Sequence, residues 1–391
     1  MSPVLLLGIR GYRLVEERCK SKYELYVELE RERRCCVHCG SDRVLSKGRY
    51  ERRVRHLSVM GKESKLIVSC RRYRCNSCNR TCVPQLPGIK QWRHSSEPFR
   101  RELYEHHHNG IAGSTLAKDR HIGSATINRI YSDYTELEAK KRLSDQLPEV
   151  LGIDEHTLHK GFQTLTTLCD LKNHRVFDIV EGRSAKAIKG YLMSLKGRKQ
   201  VKMVCIDLSS SYRRLIRECF PNARIVSDRF HVVRVVQHHF MELFKQICPQ
   251  IERDRGMLAA LRKKPENLTE HQRERLDQLL RKYPALKAIY EQQLKVLKLM
   301  RVKGANHRNV RRLSKRFIEL LRELKQSAFQ SMLSLANTLE RWAEPIACMW
   351  RFNKNNGITE GFHRKMKLIQ RRAYGFRNFN NYRLRVIASC G

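Results

Sequence analysis

The stretch QVKMVCIDLSSSYRRLIRECFPNARIVSD, residues 200–228, decides the fold of this chain. Its opening, through Asp207, is an apolar run ending in a carboxylate and reads as a buried strand. Ser211–Phe220 follows as a helix, and Ala223–Asp228 is a second short strand, again closed by an acid. Working upstream, Glu149–Asp154 (EVLGID), Gly161–Leu171 and His174–Gly182 read as three strands, the last two joined by the turn LKNH. Ser184–Lys196 reads as a helix with Ala185, Ile188, Leu192 and Leu195 on one face. The order is three strands, helix, strand, helix, strand. A hairpin sheet continued by αβ units is an α/β arrangement. Downstream, Val232–Arg351 keeps helical spacing of its apolar residues, is strongly charged, and is punctuated by Pro265 and Pro284. It reads as an all-helical insertion.

Toward the N-terminus, residues 1–95 alternate short β-like runs with turns, clearest in YELYVELE and KLIVSC. The opening MSPVLLLGIR reads as a first strand rather than a signal peptide, because no positive segment precedes it. Val83–Lys90, with two prolines and a glycine, reads as a connector. Residues 96–145 turn helical. A break at His121–Gly123 separates two helices, with Ser124 as N-cap of the second. This is the layout of a helix-turn-helix. Its second helix, with Ser124, Thr126, Asn128 and Arg129 near its start, would enter the major groove. The chain thus reads as multidomain α+β: 1–95, 96–145, a core in two parts (146–231 and 351–391), and the insertion 232–350.

Lysine and arginine total 79 against 39 acids in 391 residues, a formal net charge of +40. That balance favours a polyanionic partner through phosphate neutralisation. No window approaches the ~18 consecutive apolar residues of a membrane span. Fourteen cysteines without a secretory signal suit a reducing compartment, where spaced cysteines are metal ligands more often than disulfides. Cys36-x-x-Cys39-Gly and Cys75-x-x-Cys78 are paired knuckles that supply four thiolates to Zn2+ in a zinc ribbon. Cys35, Cys70 and Cys82 lie nearby, but Cys36 gives the better spacing to Cys39. Arg71, Arg72 and Arg74, just before the second knuckle, add phosphate-binding capacity.

Glu360 is the only acid between Arg351 and the C-terminus, amid Arg351, Lys354, Arg364, Lys365, Lys367, Arg371, Arg372, Arg377, Arg383 and Arg385. A surface built only to lie on phosphates gains nothing from that carboxylate, so a divalent metal is the reason to expect. Asn356–Thr359 signals a helix start, with Thr359 able to cap. On that helix Arg364 and Lys367 share the face of Glu360, with Arg371 and Arg372 one turn further on, while Phe362, Met366 and Ile369 face a core. Asp154 and Asp207, at strand ends, are the natural partners for Mg2+ or Mn2+, which take a few carboxylates and keep the remaining positions for water and phosphate. Asp178 is also available. Asp228, with His231 close by, is a supporting pair or the alternative second ligand.

These residues resemble the ISL-three family of bacterial insertion-sequence transposases, a DDE branch with a ribonuclease-H-like core. CVHCG and RRYRCNSC look like its zinc ribbon. GIDEHTLHKG, IDLSSSYRRLIRECFPNARIVSDRFHVV and NGITEGFHRKMKLIQRRAYGFRNFNNYRLRV look like its core blocks. The resemblance implies Asp154, Asp207 and Glu360 as the catalytic acids. It also implies hydrolysis at the element's ends followed by attack of the freed 3′-hydroxyl on target DNA. The partners would be double-stranded terminal repeats, target DNA and a second copy of the chain, in the bacterial cytoplasm at the nucleoid. His363 stands where the family usually has asparagine, and is expected to alter phosphate contacts. A non-enzymatic DNA-binding regulator and a metal-dependent nuclease are the competing readings.

Overall fold

A computed structural model of the chain describes residues 8–31, 34–159, 163–182, 184–352 and 357–391. It divides into two compact units, Met1–Glu138 and Ala139–Gly391.

The first unit is built on a five-stranded sheet. Strands β1 (Tyr12–Cys19) and β2 (Tyr23–Leu29) form one hairpin, and β3 (Val44–Val59) and β4 (Lys62–Cys75) a longer one. Met60 and Gly61, at φ 48° and 76°, make the tip of the second hairpin. Two consecutive left-handed residues match the right-handed twist of the flanking strands. β2 pairs with β4 in parallel, so the order is β1-β2-β4-β3, with short β5 (Thr81–Cys82) on the far part of β4. Most of the opening segment lies outside the described residues, and the first described strand begins at Tyr12. Residues 83–90 form a connector closed by a Leu86–Ile89 bridge, as their prolines and glycine predict.

Three helices follow: α1 (Glu97–His108), α2 (Gly113–Asp119) and α3 (Ser124–Arg142). Ser96 caps α1 by accepting from the Phe99 N–H. Phe99, Leu103, Leu116, Ile127 and Ile130 form their shared core. The break falls at His121–Gly123 as expected. The first carbonyl that α3 uses is that of Gly123, so Ser124 is its first helical residue and not its cap.

The second unit holds strands β6 (Val150–His159), β7 (Gln163–Asp170), β8 (Arg175–Glu181), β9 (Met203–Ile206) and β10 (Arg224–Ser227). Their order is β10-β9-β6-β7-β8, with β6, β7 and β8 antiparallel and β6, β9 and β10 parallel. The turn at 171–174 is held by Asp170, whose Oδ1 accepts from the N–H groups of Lys172 and Asn173. Helices α4 (Ala185–Ser194) and α5 (Ser210–Cys219) connect strands, capped by Ser184 and Ser209. Adjacent residues of a strand point to opposite faces. Thr166 bonds Tyr212 of α5, whereas Thr167 bonds His363 of α13 (Gly357–Arg372). Helices α5 and α13 therefore cover opposite faces of the sheet. α14 (Phe379–Cys390) packs beside α13, against β8.

Between β10 and α13 every described element is helical: α6 (Arg229–Ile247), α7 (Arg255–Arg262), α8 (Glu270–Lys282), α9 (Pro284–Met300), α10 (His307–Lys325), α11 (Gln330–Arg341) and α12 (Ala343–Arg351). Pro284 starts α9, where its missing N–H costs nothing. The chain returns to the sheet through α12, which packs along β10. There the buried Arg229 donates to the carbonyls of Val302 and Met349. Trp342 and Trp350, both buried, close this joint.

Candidate active site and metal centre

The two knuckles meet. The Sγ atoms of Cys36, Cys39, Cys75 and Cys78 all lie within 4.8 Å of one another, with Cys36–Cys78 and Cys39–Cys75 at 3.5 Å. Sulfurs on a tetrahedral zinc with ~2.3 Å bonds stand roughly 3.8 Å apart, so the donor set fits zinc without rearrangement. Gly40 closes the first knuckle at φ 74°, donating its N–H to the Cys36 carbonyl, and Asn79 takes the same left-handed role after Cys78. Against its burial, Cys36 is drawn down to about 6 by the N–H groups of His38 and Cys39. Cys82 is buried beside the four without joining them, Cys70 belongs to the neighbouring sheet core, and Cys35 is outside the cluster. Arg72 and Arg74 point outward. Arg74 is bidentate on Asn79 Oδ1 (3.0 and 2.8 Å), and Arg72 lies over the Tyr50 ring.

The acids of the second unit gather for a topological reason. β6 pairs with β9 from Val150↔Met203 to Gly152↔Cys205, and β9 with β10 up to Ile206↔Ser227. Carried on past the end of β9, these registers set Asp154, Asp207 and Asp228 side by side at one level of three adjacent strands. Asp154 is thus not at a strand end as expected. β6 outruns the four-residue β9 and continues to His159, leaving Asp154 on a stretch bonded only to β7. Asp207 does follow β9 directly, and Asp228 follows β10, its N–H bonded to the Ile206 carbonyl at 2.7 Å. Asp228 is buried at the start of α6, with His231 Nε2 3.6 Å from its Oδ2.

Burial raises the Asp154 carboxyl to about 6. The Glu155 N–H and His231 work against the rise, and Asp228 and Asp207 add to it. Asp207 is raised for the same first reason, burial, with Glu155 and Asp228 contributing. Crowded, partly desolvated carboxylates of this kind are relieved by a hard cation.

Glu360 stands apart. It lies in the first turn of α13, its side chain half exposed, with Arg364 Nη2 at 3.5 Å. Among the described residues the four cysteines are the one cluster with three or more candidate ligand atoms within 4.8 Å of one another. The residue of α13 that reaches the acids is His363, one turn on from Glu360, or about 4.5 Å along the axis. Its Nδ1 is 3.8 Å from Asp154 Oδ2. His363 is therefore turned inward, toward Asp154. Met366 is buried and Phe362 and Ile369 half-buried, as expected, while Arg364, Lys367, Arg371 and Arg372 are exposed. Thr359 is not a cap. It lies within the first turn of the helix, fully buried, and Asn356 and Lys354 fall outside the described residues. Asp178 is committed elsewhere, bidentate with Arg383 at 2.6 Å and bonded by Tyr191.

Three polar residues around Asp154 escaped the sequence reading: His156, Thr167 and Tyr382. His156 shares the Asp154 face of β6 by period two, a signal that was available. Thr167 and Tyr382 carry none.

The profile of a transposase family, ISL3, matches residues 151–386, the span that contains the sheet, the acids and α13. The chain belongs to the ISL3 transposase family. A second profile, the zinc finger of the transposases of IS204, IS1001, IS1096 and IS1165, matches residues 32–78 and takes in both knuckles. The transposase for insertion sequence element IS1001 of Bordetella parapertussis is 25% identical over 365 residues, covering 90% of this chain and 88% of that one. The four-cysteine cluster and an α/β unit rich in helices fit this membership. No helix among the described residues is long and apolar enough to cross a membrane.

Proposed function

We propose that this chain is a DDE-type DNA transposase. It binds the terminal inverted repeats of its own insertion sequence, hydrolyses the phosphodiesters at the element ends, and transfers the freed 3′-hydroxyl to target DNA. The observation that carries this reading is the level line Asp154–Asp207–Asp228 beside a helix that presents Glu360 among exposed cations. The sheet order, three antiparallel strands extended by two parallel ones, supports a ribonuclease-H-like core.

Asp154, Asp207 and Glu360 would hold Mg2+ or Mn2+, with Asp228 and His231 supporting. Ions held there would supply activation of the attacking oxygen and stabilisation of the leaving one in an in-line displacement, whether the attacker is water or a sugar hydroxyl. The protein's own part is placement. Arg364, Lys367, Arg371 and Arg372 grip phosphates along α13. Asp154, within β6, and Asp207, directly after β9, are partly buried acids already side by side. Glu360, at the rim in the first turn of α13, would complete the ligand set.

The zinc ribbon, with Arg71, Arg72 and Arg74, and the helix-turn-helix, with Ser124, Thr126, Asn128 and Arg129 at the start of α3, bind the repeats. Two ends must be cut in concert, so the working form is a homodimer or larger, in the bacterial cytoplasm at the nucleoid.

The test is a plasmid carrying the short inverted repeats that flank the gene, incubated with the full chain. Mg2+-dependent breaks with 3′-hydroxyl ends at the repeat boundaries, followed by joining to a second DNA, are expected. Binding without breaks would establish a regulator, and breaks without joining a nuclease.

A further inference from the structure

The inward His363 belongs to an unbroken series of polar contacts. Gln370 Nε2 donates to the Thr157 carbonyl at 3.4 Å and to the Tyr382 hydroxyl at 3.2 Å. Tyr382 Oη is 2.9 Å from His156 Nε2. His156 Nδ1 is 2.8 Å from Thr167 Oγ1, which is 3.0 Å from His363 Nε2. His363 Nδ1 then faces Asp154 Oδ2 at 3.8 Å.

The sense of this series follows from donor and acceptor counts. A carbonyl only accepts, so the Thr157 contact fixes the Gln370 amide with its NH2 toward Tyr382. The Tyr382 oxygen accepts that N–H, and its own proton goes to the remaining partner, His156 Nε2. Burial holds the Tyr382 phenol well above its ordinary value, so that proton is present. An imidazole nitrogen that accepts a hydrogen bond bears no proton, so a ring accepting at one nitrogen carries its single proton on the other. With Nε2 accepting, His156 bears its proton on Nδ1 and donates to Thr167. The Thr167 hydroxyl then gives its single proton to His363 Nε2. His363 is left with its proton on Nδ1, the atom that faces Asp154.

We infer that this one-way chain, Gln370–Tyr382–His156–Thr167–His363, fixes the His363 ring as an Nδ1–H donor aimed at Asp154, making His363 a positioning residue for that carboxylate. Asp154 Oδ1 already accepts the Glu155 N–H at 2.8 Å. The His363 Nδ1–H, 3.8 Å from Oδ2, favours one rotation of the carboxylate electrostatically, beside the hydrogen bond at Oδ1. Partners of this kind behind a metal ligand typically contribute 10–100-fold in metal affinity or activity. The metal-holding role of Asp154 rests on the function proposed above. The direction of the chain does not.

Two measurements separate these claims. Long-range 1H–15N correlation spectra of the full wild-type chain with labelled histidine report which ring nitrogen carries the proton. His363 and His156 are both expected as Nδ1–H tautomers at neutral pH. An Nε2–H tautomer at His363 overturns the inference whatever the protein's activity. The second measurement is Mn2+ affinity, by electron paramagnetic resonance, of Thr167→Val and Thr167→Ser. Val keeps the shape and cuts the chain, so affinity falls about tenfold and the His363 tautomer is no longer fixed. Ser restores the hydroxyl and both properties. Equal affinity in wild type, Val and Ser overturns the positioning role. Absence of Mn2+ binding in the wild type instead counts against the proposed function, and the tautomer spectrum still decides the chain. If Thr167→Val does not fold, the wild-type spectrum again decides.

Discussion

Asp154 sits at about 6 because it is largely desolvated on β6, against ~3.9 for a free aspartate. A carboxyl raised on folding holds its proton more tightly in the folded chain than in the unfolded one. In the metal-free protein its contribution to stability is fully present below about pH 4 and is lost as the pH rises through about 6. A bound cation needs the ionised form, so binding must expel the proton below that value. Mn2+ affinity, followed by titration calorimetry, is therefore expected to climb from about pH 5 to pH 7, with proton release at the lower end. An affinity flat across that window would mean Asp154 is not a ligand. His363 shows the same physics with the opposite sign. Burial takes it below its ordinary value, so its approach to Asp154 is a contact between a neutral ring and a carboxylate, not an ion pair at neutral pH.

At the scale of elements, α13 joins opposite charges on one helix. Its core stripe, Met366 with Phe362 and Ile369, anchors it to the sheet and leaves Arg364, Lys367, Arg371 and Arg372 in solvent. Each phosphate these cations neutralise steepens the salt dependence of binding by roughly one unit of log affinity per log salt. The double variant Arg371→Ala/Arg372→Ala should lower the slope for DNA binding by about 2 while leaving repeat specificity intact. A slope equal to that of the wild type would remove α13 from the interface. The ribbon answers to a different lever. Its four thiols fit a zinc ion as they stand, and a metal that closes such a site contributes directly to folding. A chelator strong enough to strip zinc should weaken binding to the repeats, and unchanged binding by metal-free protein would deny the ribbon a structural role. These elements were legible in the sequence because each carries a local signal: CxxC spacing, apolar runs closed by Asp207 and Asp228, and the helical period around Glu360. The place of Asp154 within β6 is not legible locally, because β6 outruns its neighbour β9. Nor are the positions of Ser124 and Thr359 inside their helices, because a hydroxyl near a helix start fits several register positions. Thr167 and Tyr382 were invisible, since only the folding of β7 and α14 onto β6 brings them to His156.

At the scale of the whole molecule, a formal charge of +40 marks a polyanion as partner, and family membership marks the reaction type. Neither explains why a single acid stands in the basic C-terminal segment. Glu360 has no structural employment that accounts for it. Its side chain is half exposed, and among the described residues Arg364, at 3.5 Å, is its ion-pair partner. An exposed pair of that kind contributes ~0–1 kcal/mol at most. Its place one turn before His363, which does reach Asp154, puts it at the rim of the acid cluster. Glu360→Gln keeps the shape and removes the charge, and the most direct measurement is cleavage at the repeat ends in Mg2+ beside binding to the same ends. Cleavage is expected to fall at least about a thousandfold, ~4 kcal/mol of transition-state stabilisation, with binding within about twofold of wild type. Cleavage within about tenfold of wild type would contradict the account.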